Sequence, residues 1–413
     1  MYTLLYADKK GNIFDAPGLP AWGRSGRETV MLQEADLQEA DLIPLPEGSD
    51  LMFLPGRKAW TQQGRSPGLA VAAVLPAGYT RTWLPAFTRG KDAPVLPLYG
   101  YTAAALKEDG IYVAAVKTDE DGRWNPLRYN TKQLKKLVQD TLRRRPENRV
   151  YRQLAHCSLA YHCCTAQNIF YGRWEAGLPV SPVCNARCFG CISLQPAECC
   201  PAPQSRLDFV PSVSEMTEVM LNHLGNAPES IISFGQGCEG EPSLQAGRIS
   251  QAIREVRRQT AQGVINLNTN GGFTAGIREI CAAGLDSIRV SLISAREEVY
   301  NAYYRPVDYT LGDVVHSLHT AKEHGVYVSL NLLVFPGLTD REEEVAALED
   351  LLAATGLDMI QMRNLNADPD EILRLMPPAR GKAIGIRAFM QRLQERFPEL
   401  QLGSYSKFLG NRG

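Results

Sequence analysis

The stretch Val183-Cys184-Asn185-Ala186-Arg187-Cys188-Phe189-Gly190-Cys191 places three cysteines at C-x₃-C-x₂-C spacing, directly after the apolar run Leu178-Pro179-Val180-Ser181-Pro182-Val183. Any fold that carries it must present three thiols on one loop. Packing cysteines have no reason to cluster, and zinc sites usually come as two C-x₂-C halves, so inert thiols and a zinc knuckle are the weaker alternatives. A [4Fe–4S] cluster takes four ligands. Three thiolates leave one iron open to a small chelating molecule with an amine and a carboxylate.

The rest of the composition sets bounds. A chain of 413 residues that is 44% hydrophobic and 22% charged has material for two or three domains and an ample core. A net charge of −1 gives no global field for nucleic acid or anionic lipid. No apolar run reaches membrane-spanning length, and the start of the chain lacks the pattern of a signal peptide, so the expected location is the cytoplasm. Nine of the ten cysteines lie before residue 240. In a reducing compartment they read as metal ligands rather than a disulfide framework, and exposed iron–sulfur clusters imply an oxygen-poor cytoplasm.

Residues 1–130 are rich in Pro and Gly, with short β-type runs at 71–75, 79–84 and 111–116, and predict a β-rich N-terminal domain. Trp60, Trp83, Tyr99, Tyr101 and Trp124 there read as packing residues. Asn130 is expected to cap a helix over 131–145, with Leu134, Leu137, Val138 and Leu142 on one face and Lys132, Lys135, Lys136, Arg143 and Arg144 on the other. One basic helix is usually a solvated face; as a tRNA or acidic-peptide contact it is weakly supported. Residues 131–177 make a helix and a cysteine-containing linker. From Pro211 onward, strands and amphipathic helices alternate as in a parallel α/β architecture. Strands are expected at 230–235, 264–268, 287–292, 326–334 and 359–363. Boxes at Ser212/Glu215 and Thr339/Glu342 open two of the helices. With the strand leading into the cysteine loop, this gives six βα units over 178–396 and a C-terminal tail over 397–413. Periodicity alone leaves a doubly wound open sheet as an alternative.

The cysteine spacing resembles the signature loop of the radical S-adenosylmethionine (SAM) enzymes. Gly240-Glu241-Pro242 is similar to the end of that family's Gly-Gly-Glu-Pro element, with Glu239 in place of its first glycine. The resemblance implies a partial (β/α)₆ barrel with its site at the strands' C-terminal ends, and as cofactors a [4Fe–4S] cluster on Cys184, Cys188 and Cys191 together with SAM. It further implies SAM contacts from Gly240, Glu241, Pro242, Asn268, Asn270, Ser291, Ser294 and Arg305. The family's aromatic residue before the third cysteine is Gly190 here, which leaves Phe189 as the adenine candidate. The activity implied is reductive SAM cleavage and hydrogen abstraction from a substrate, with an electron donor such as flavodoxin or ferredoxin as partner. No catalytic side chain is singled out. Asn331, Gln361, Arg363 and Asn364, on the fifth and sixth strands, are the substrate candidates.

A second iron–sulfur cluster is expected to draw its ligands from Cys157, Cys163, Cys164, Cys199, Cys200 and Cys238, whereas Cys281 lies at core spacing on a helix and reads as inert. Two other readings stay open: a sulfur-inserting or methylthiolating enzyme, and a non-catalytic iron–sulfur scaffold akin to nitrogenase-cofactor assembly proteins. The substrate, whether peptide, tRNA or small metabolite, is not legible.

Overall fold

A computed structural model describes residues 2–32, 41–120, 122–195 and 200–412. The barrel elements are numbered here from its first strand. Seven parallel strands, β1 (Glu175–Gly177), β2 (Ile231–Phe234), β3 (Val264–Thr269), β4 (Ser287–Leu292), β5 (Tyr327–Val334), β6 (Met359–Asn364) and β7 (Gln401–Gly403), form one sheet in chain order. Buried on both faces, β2 and β3 are solvent-free along their whole length. Register climbs around the sheet: Ile231 pairs with Val264, Asn266 with Ser287, Ser287 with Tyr327, and Ser329 with Met359. That stagger curls the sheet, and because β1 and β7 are not paired the barrel stays open.

Helices α1 (Val213–Asn226), α2 (Ala246–Gln259), α3 (Thr274–Ala282), α4 (Glu297–Tyr304), α5 (Leu311–Glu323), α6 (Glu342–Thr355), α7 (Pro369–Leu375) and α8 (Ile386–Arg396) return the chain from strand to strand. The expected six βα units are present. The stretch expected as a tail adds β7, paired with β6. Helix α2 shows the packing logic: Ile249, Ala252, Ile253 and Val256 are buried at helical spacing, while Arg248, Gln251, Arg254, Arg258 and Gln259 remain outside. Ser212 and Glu215 form the expected capping box at α1.

Two expected caps are not formed. Thr339 accepts the Phe335 N–H at 2.9 Å instead of opening α6, whose N-cap is Arg341 without a side-chain bond. Asn130 has φ 56° and bonds His162 and Gln167 through its side chain; the helix begins later, at Leu134. Both polar side chains found partners distant in sequence or in the adjoining turn, which local pattern does not weigh.

The N-terminal region folds into a nine-stranded and a three-stranded sheet whose pairings are antiparallel. It seats on the C-terminal ends of β5 and β6. The fully buried Arg81 guanidinium donates to the carbonyls of Tyr101, Val334 and Leu365 at 3.2, 3.2 and 2.9 Å. Thr80 donates to the Met362 carbonyl, and buried Arg57 pairs with Asp368. Nothing in a strand-rich N-terminal sequence signals that contact, because its partners lie more than 250 residues away.

Candidate active site

The cysteine loop is held from both sides. On one side it rides on the loop after β2. Glu239, fully buried, accepts four backbone N–H groups: Val180 and Ser181 at 2.7 and 3.0 Å on one oxygen, Gly235 and Gln236 at 2.8 and 2.7 Å on the other. Gly240 N–H donates to Ser181 O and Glu241 N–H to Val183 O, both at 2.7 Å. A Cβ at Gly240 would stand 2.0 Å from Val183 O, so the neighbouring loop by itself requires glycine there. On the other side, Arg187 and Phe189 donate to the carbonyls of Tyr304 and Tyr303, and Val307 to that of Asn185. The three cysteines are therefore clamped between the β2 loop and the end of α4.

Cys184, Cys188 and Cys191 are half-buried free thiols. Burial first, then neighbouring acidic groups, push the Cys184 thiol up to about 11; burial and the two sister thiols push Cys188 up strongly. Such thiols stay protonated until a bound cation stabilises the thiolates. Arg206 stands at the site, donating to Ser193 Oγ at 3.1 Å with Cys191 Sγ at 3.6 Å. Among the described residues no three His, Cys, Asp or Glu side chains gather tightly around one point as a single ion demands. An iron–sulfur cubane is larger than an ion and takes ligands that stand further apart. A cavity of about 950 Å³ opens beside Cys188 and Cys191, with Arg206, Asn301, Arg305 and Tyr309 among its walls, within the range of small-molecule sites.

The strand-end residues divide into struts and open groups. Both Glu241 oxygens are engaged, by Ser243 N–H and Thr269 Oγ1 on one and Asn270 N–H on the other, so this carboxylate ties the β2 and β3 loops together. Pro242 starts the short helical turn that Glu241 caps. Asn270 donates to Asn185 Oδ1 in the cysteine loop at 2.7 Å. Asn268 differs: its Oδ1 is taken by Asn266, while its buried Nδ2 has no acceptor. Such an orphan donor at the rim fits a polar cofactor. Ser291 is partly exposed, register partner of Asn331. Ser294 is engaged within the protein: it donates to Glu344 on α6 and accepts the Arg296 N–H, which fixes the turn after β4. Arg305 is exposed, ends α4 in a left-handed conformation and lies 6.0 Å from the Phe189 ring. The space beside Gly190 belongs to Tyr303, whose hydroxyl would be 2.4 Å from a Cβ there.

Among the substrate candidates, Asn331 pairs in register with Gln361 and Leu333 with Arg363. Asn364 is not available. It donates to Tyr79 O at 3.0 Å and accepts from Arg81 N at 2.9 Å, joining β6 to the N-terminal region. Arg289, missed in the sequence, reaches Gln361 Oε1 at 2.9 Å. The alternation Ser287-Arg289-Ser291 within an otherwise apolar strand was the signal for it. Glu239 was missed because a departure from a glycine reads as a loss rather than as a strut.

Five of the six candidates for a second cluster lie among the described residues. Cys157 and Cys238 are buried and their thiols hydrogen-bond each other, with Cys163 close by through its N–H to Cys157 O at 3.1 Å. Cys164 lies within electrostatic reach of Tyr129 and Cys200 of Tyr101, and Cys199 falls outside the described residues. Cys281 is buried on α3, as expected of a packing thiol.

Residues 178–348 match the family model described as Radical SAM superfamily. A curated relative, GTP 3',8-cyclase of Streptomyces coelicolor, is 30% identical over 176 residues, 42% of this chain and 48% of that protein. The chain thus spans about half the length of the curated relative it matches. Among solved structures, methylornithine synthase aligns over 67% of this chain and 72% of its own at 13% identity and TM-score 0.38. A second, native anSMEcpe with bound AdoMet, covers 46% and 50% at 16% identity and TM-score 0.35.

Proposed function

Since residues 178–348 belong to the radical SAM superfamily, we propose that the chain is an enzyme that cleaves SAM reductively and abstracts hydrogen from a substrate held in the barrel lumen. The observation that carries this reading is the three-thiol loop clamped between two strand-end loops at the rim of a parallel half-barrel, beside a cavity of about 950 Å³. A [4Fe–4S] cluster bound there would supply the one electron that reductive cleavage of SAM, to methionine and a hydrogen-abstracting 5′-deoxyadenosyl radical, requires. An external one-electron donor of the flavodoxin or ferredoxin class supplies that electron. Cys184, Cys188 and Cys191 would hold that cluster. Asn268 Nδ2 and Ser291 offer polar contacts at the rim, Arg305 and Phe189 stand at the outer wall, and Glu241, Gly240 and Asn270 act as positioning residues through the loops they join. Asn331, Gln361 and Arg363 face the substrate.

The test is anaerobic reconstitution followed by reductive SAM cleavage in the wild type and in Cys184→Ala, Cys188→Ala and Cys191→Ala. The expected result is 5′-deoxyadenosine from the wild type alone; substantial product from any variant overturns the assignment.

A further inference from the structure

Among the described residues, Arg57, Arg81 and Arg257 pack into the protein against carboxylates or backbone carbonyls. Arg57 has Asp368 and two carbonyls, Arg81 has three carbonyls, and Arg257 has Asp286 and two carbonyls. A pair in the barrel lumen differs. Arg289 on β4 and Arg363 on β6 share one neutral acceptor, Gln361 Oε1, at 2.9 and 3.4 Å. Arg289 adds Ser406 Oγ at 3.1 Å, and no carboxylate comes within ion-pairing distance of either guanidinium among the described residues. The nearest acids, Glu175 and Asp119, act on the pair only from beyond ion-pairing distance; Glu175 accepts from Ser233 Oγ at 2.8 Å, and Asp119 accepts from Ser404 N–H at 2.6 Å.

Two like charges walled in by protein and bridged only by an amide oxygen are an unfavourable arrangement in the ligand-free molecule. Burial, followed by repulsion from Arg289, pulls the Arg363 pKa down to about 10. Both residues nevertheless keep a partly exposed face, so the pair is reachable from the lumen. Guanidinium forks match the oxygens of a carboxylate or phosphate, and two of them converging from different strands fix its position as well as its charge.

We infer that Arg289 and Arg363 form an anion-binding subsite in the barrel lumen that takes a carboxylate or phosphate group of the substrate. This rests on the radical SAM reading only for the word substrate. SAM itself carries a carboxylate; the pair is bonded to Gln361 on β6 and to Ser406, away from the Cys184, Cys188 and Cys191 loop in sequence, and the SAM titration below separates the two sources. The enzyme would thus act on an anionic small molecule or an anionic side chain of a larger one.

The experiment is a melting-temperature titration of the reconstituted protein with inorganic phosphate, pyrophosphate and citrate, each at constant ionic strength set with chloride, in the wild type, Arg363→Gln and Arg289→Gln. The expected result is a saturable rise with at least one probe in the wild type that both variants lose. Without added anion, the variants should melt at or above the wild-type temperature, since each removes an uncompensated charge. A rise equal in all three proteins, no rise in the wild type, or variants that melt several degrees lower without anion would each overturn the proposal. A parallel SAM titration separates the two sources of carboxylate: loss of SAM affinity in Arg363→Gln would assign the subsite to SAM and refute the inference. Because the readout is melting and not turnover, a wild type that binds anions but never cleaves SAM would sink the enzymatic reading and leave this one standing.

Discussion

Gly240→Ala isolates the mechanical role of the loop after β2. A Cβ built at Gly240 stands 2.0 Å from Val183 O, 2.5 Å from Val183 C and 3.1 Å from Val183 N. Ordinary contact begins at 3.4 Å, so the Val183 carbonyl must retreat by about 1.4 Å. That carbonyl accepts Glu241 N–H at 2.7 Å and Ser181 Oγ at 3.0 Å, and the next residue is Cys184. Loss of two hydrogen bonds at about 1 kcal/mol each, with an overpacking cost of about 1 to 3 kcal/mol, gives roughly 3 to 5 kcal/mol against the native loop. The cheapest relaxation is to move the cysteine loop and keep the barrel. Gly240→Ala should therefore fold, lose most of its iron and sulfide on reconstitution, and bind SAM poorly as a consequence. The control is Gly247→Ala on α2, where a Cβ meets nothing nearer than Glu279 Oε1 at 3.8 Å. That variant should keep full iron and gain up to about 1 kcal/mol of stability. Full iron, wild-type SAM affinity and an unchanged melting temperature in Gly240→Ala would refute the reasoning.

Two further predictions concern stability. His223, buried on α1 with Nε2 2.6 Å from Trp174 O, has its pKa lowered to about 4, chiefly by burial. Between pH 6.5 and 4 the unfolded chain binds a proton that the folded chain refuses, so stability falls as pH drops through that window, by about 3 kcal/mol in total. His223→Gln should flatten this part of the denaturation profile relative to wild type; parallel profiles would count against it. Asp368 accepts from Arg57 and from Leu96 N–H, so Asp368→Asn leaves a buried guanidinium without its counter-charge at a cost of about 3 to 5 kcal/mol. Chemical denaturation measures this, and an unshifted midpoint would contradict the pairing.

What could be read from the sequence was whatever is local or periodic. The cysteine spacing, the Ser212/Glu215 box and the alternation of apolar strands with amphipathic helices are encoded within a few residues of where they act. Asn364, Ser294 and Asn130 show the limit. Each is a polar residue at an element's end, where a ligand contact, a cap and a tertiary strut look alike in sequence, and each is consumed by a partner between 32 and 285 residues away. Glu239 lay in plain view as a departure from a familiar glycine. Its purpose appears only when four N–H groups from two loops are seen to converge on it. The C-terminal strand was invisible because three residues carry too little pattern.

Arg81 gives the N-terminal region a history as well as a structure. Its guanidinium terminates the carbonyls of Val334 and Leu365, at the C-terminal ends of β5 and β6, with no water in between. A gene cut near residue 130 would encode a barrel whose strand ends lose those donors and whose Asp368 loses its cation. Recombination that exchanged this layer for another would have to replace Arg57 and Arg81 at matching positions in the same event. The two halves are thus bound to be inherited together, and a descendant could vary the surface of the N-terminal sheet far more freely than it could discard it.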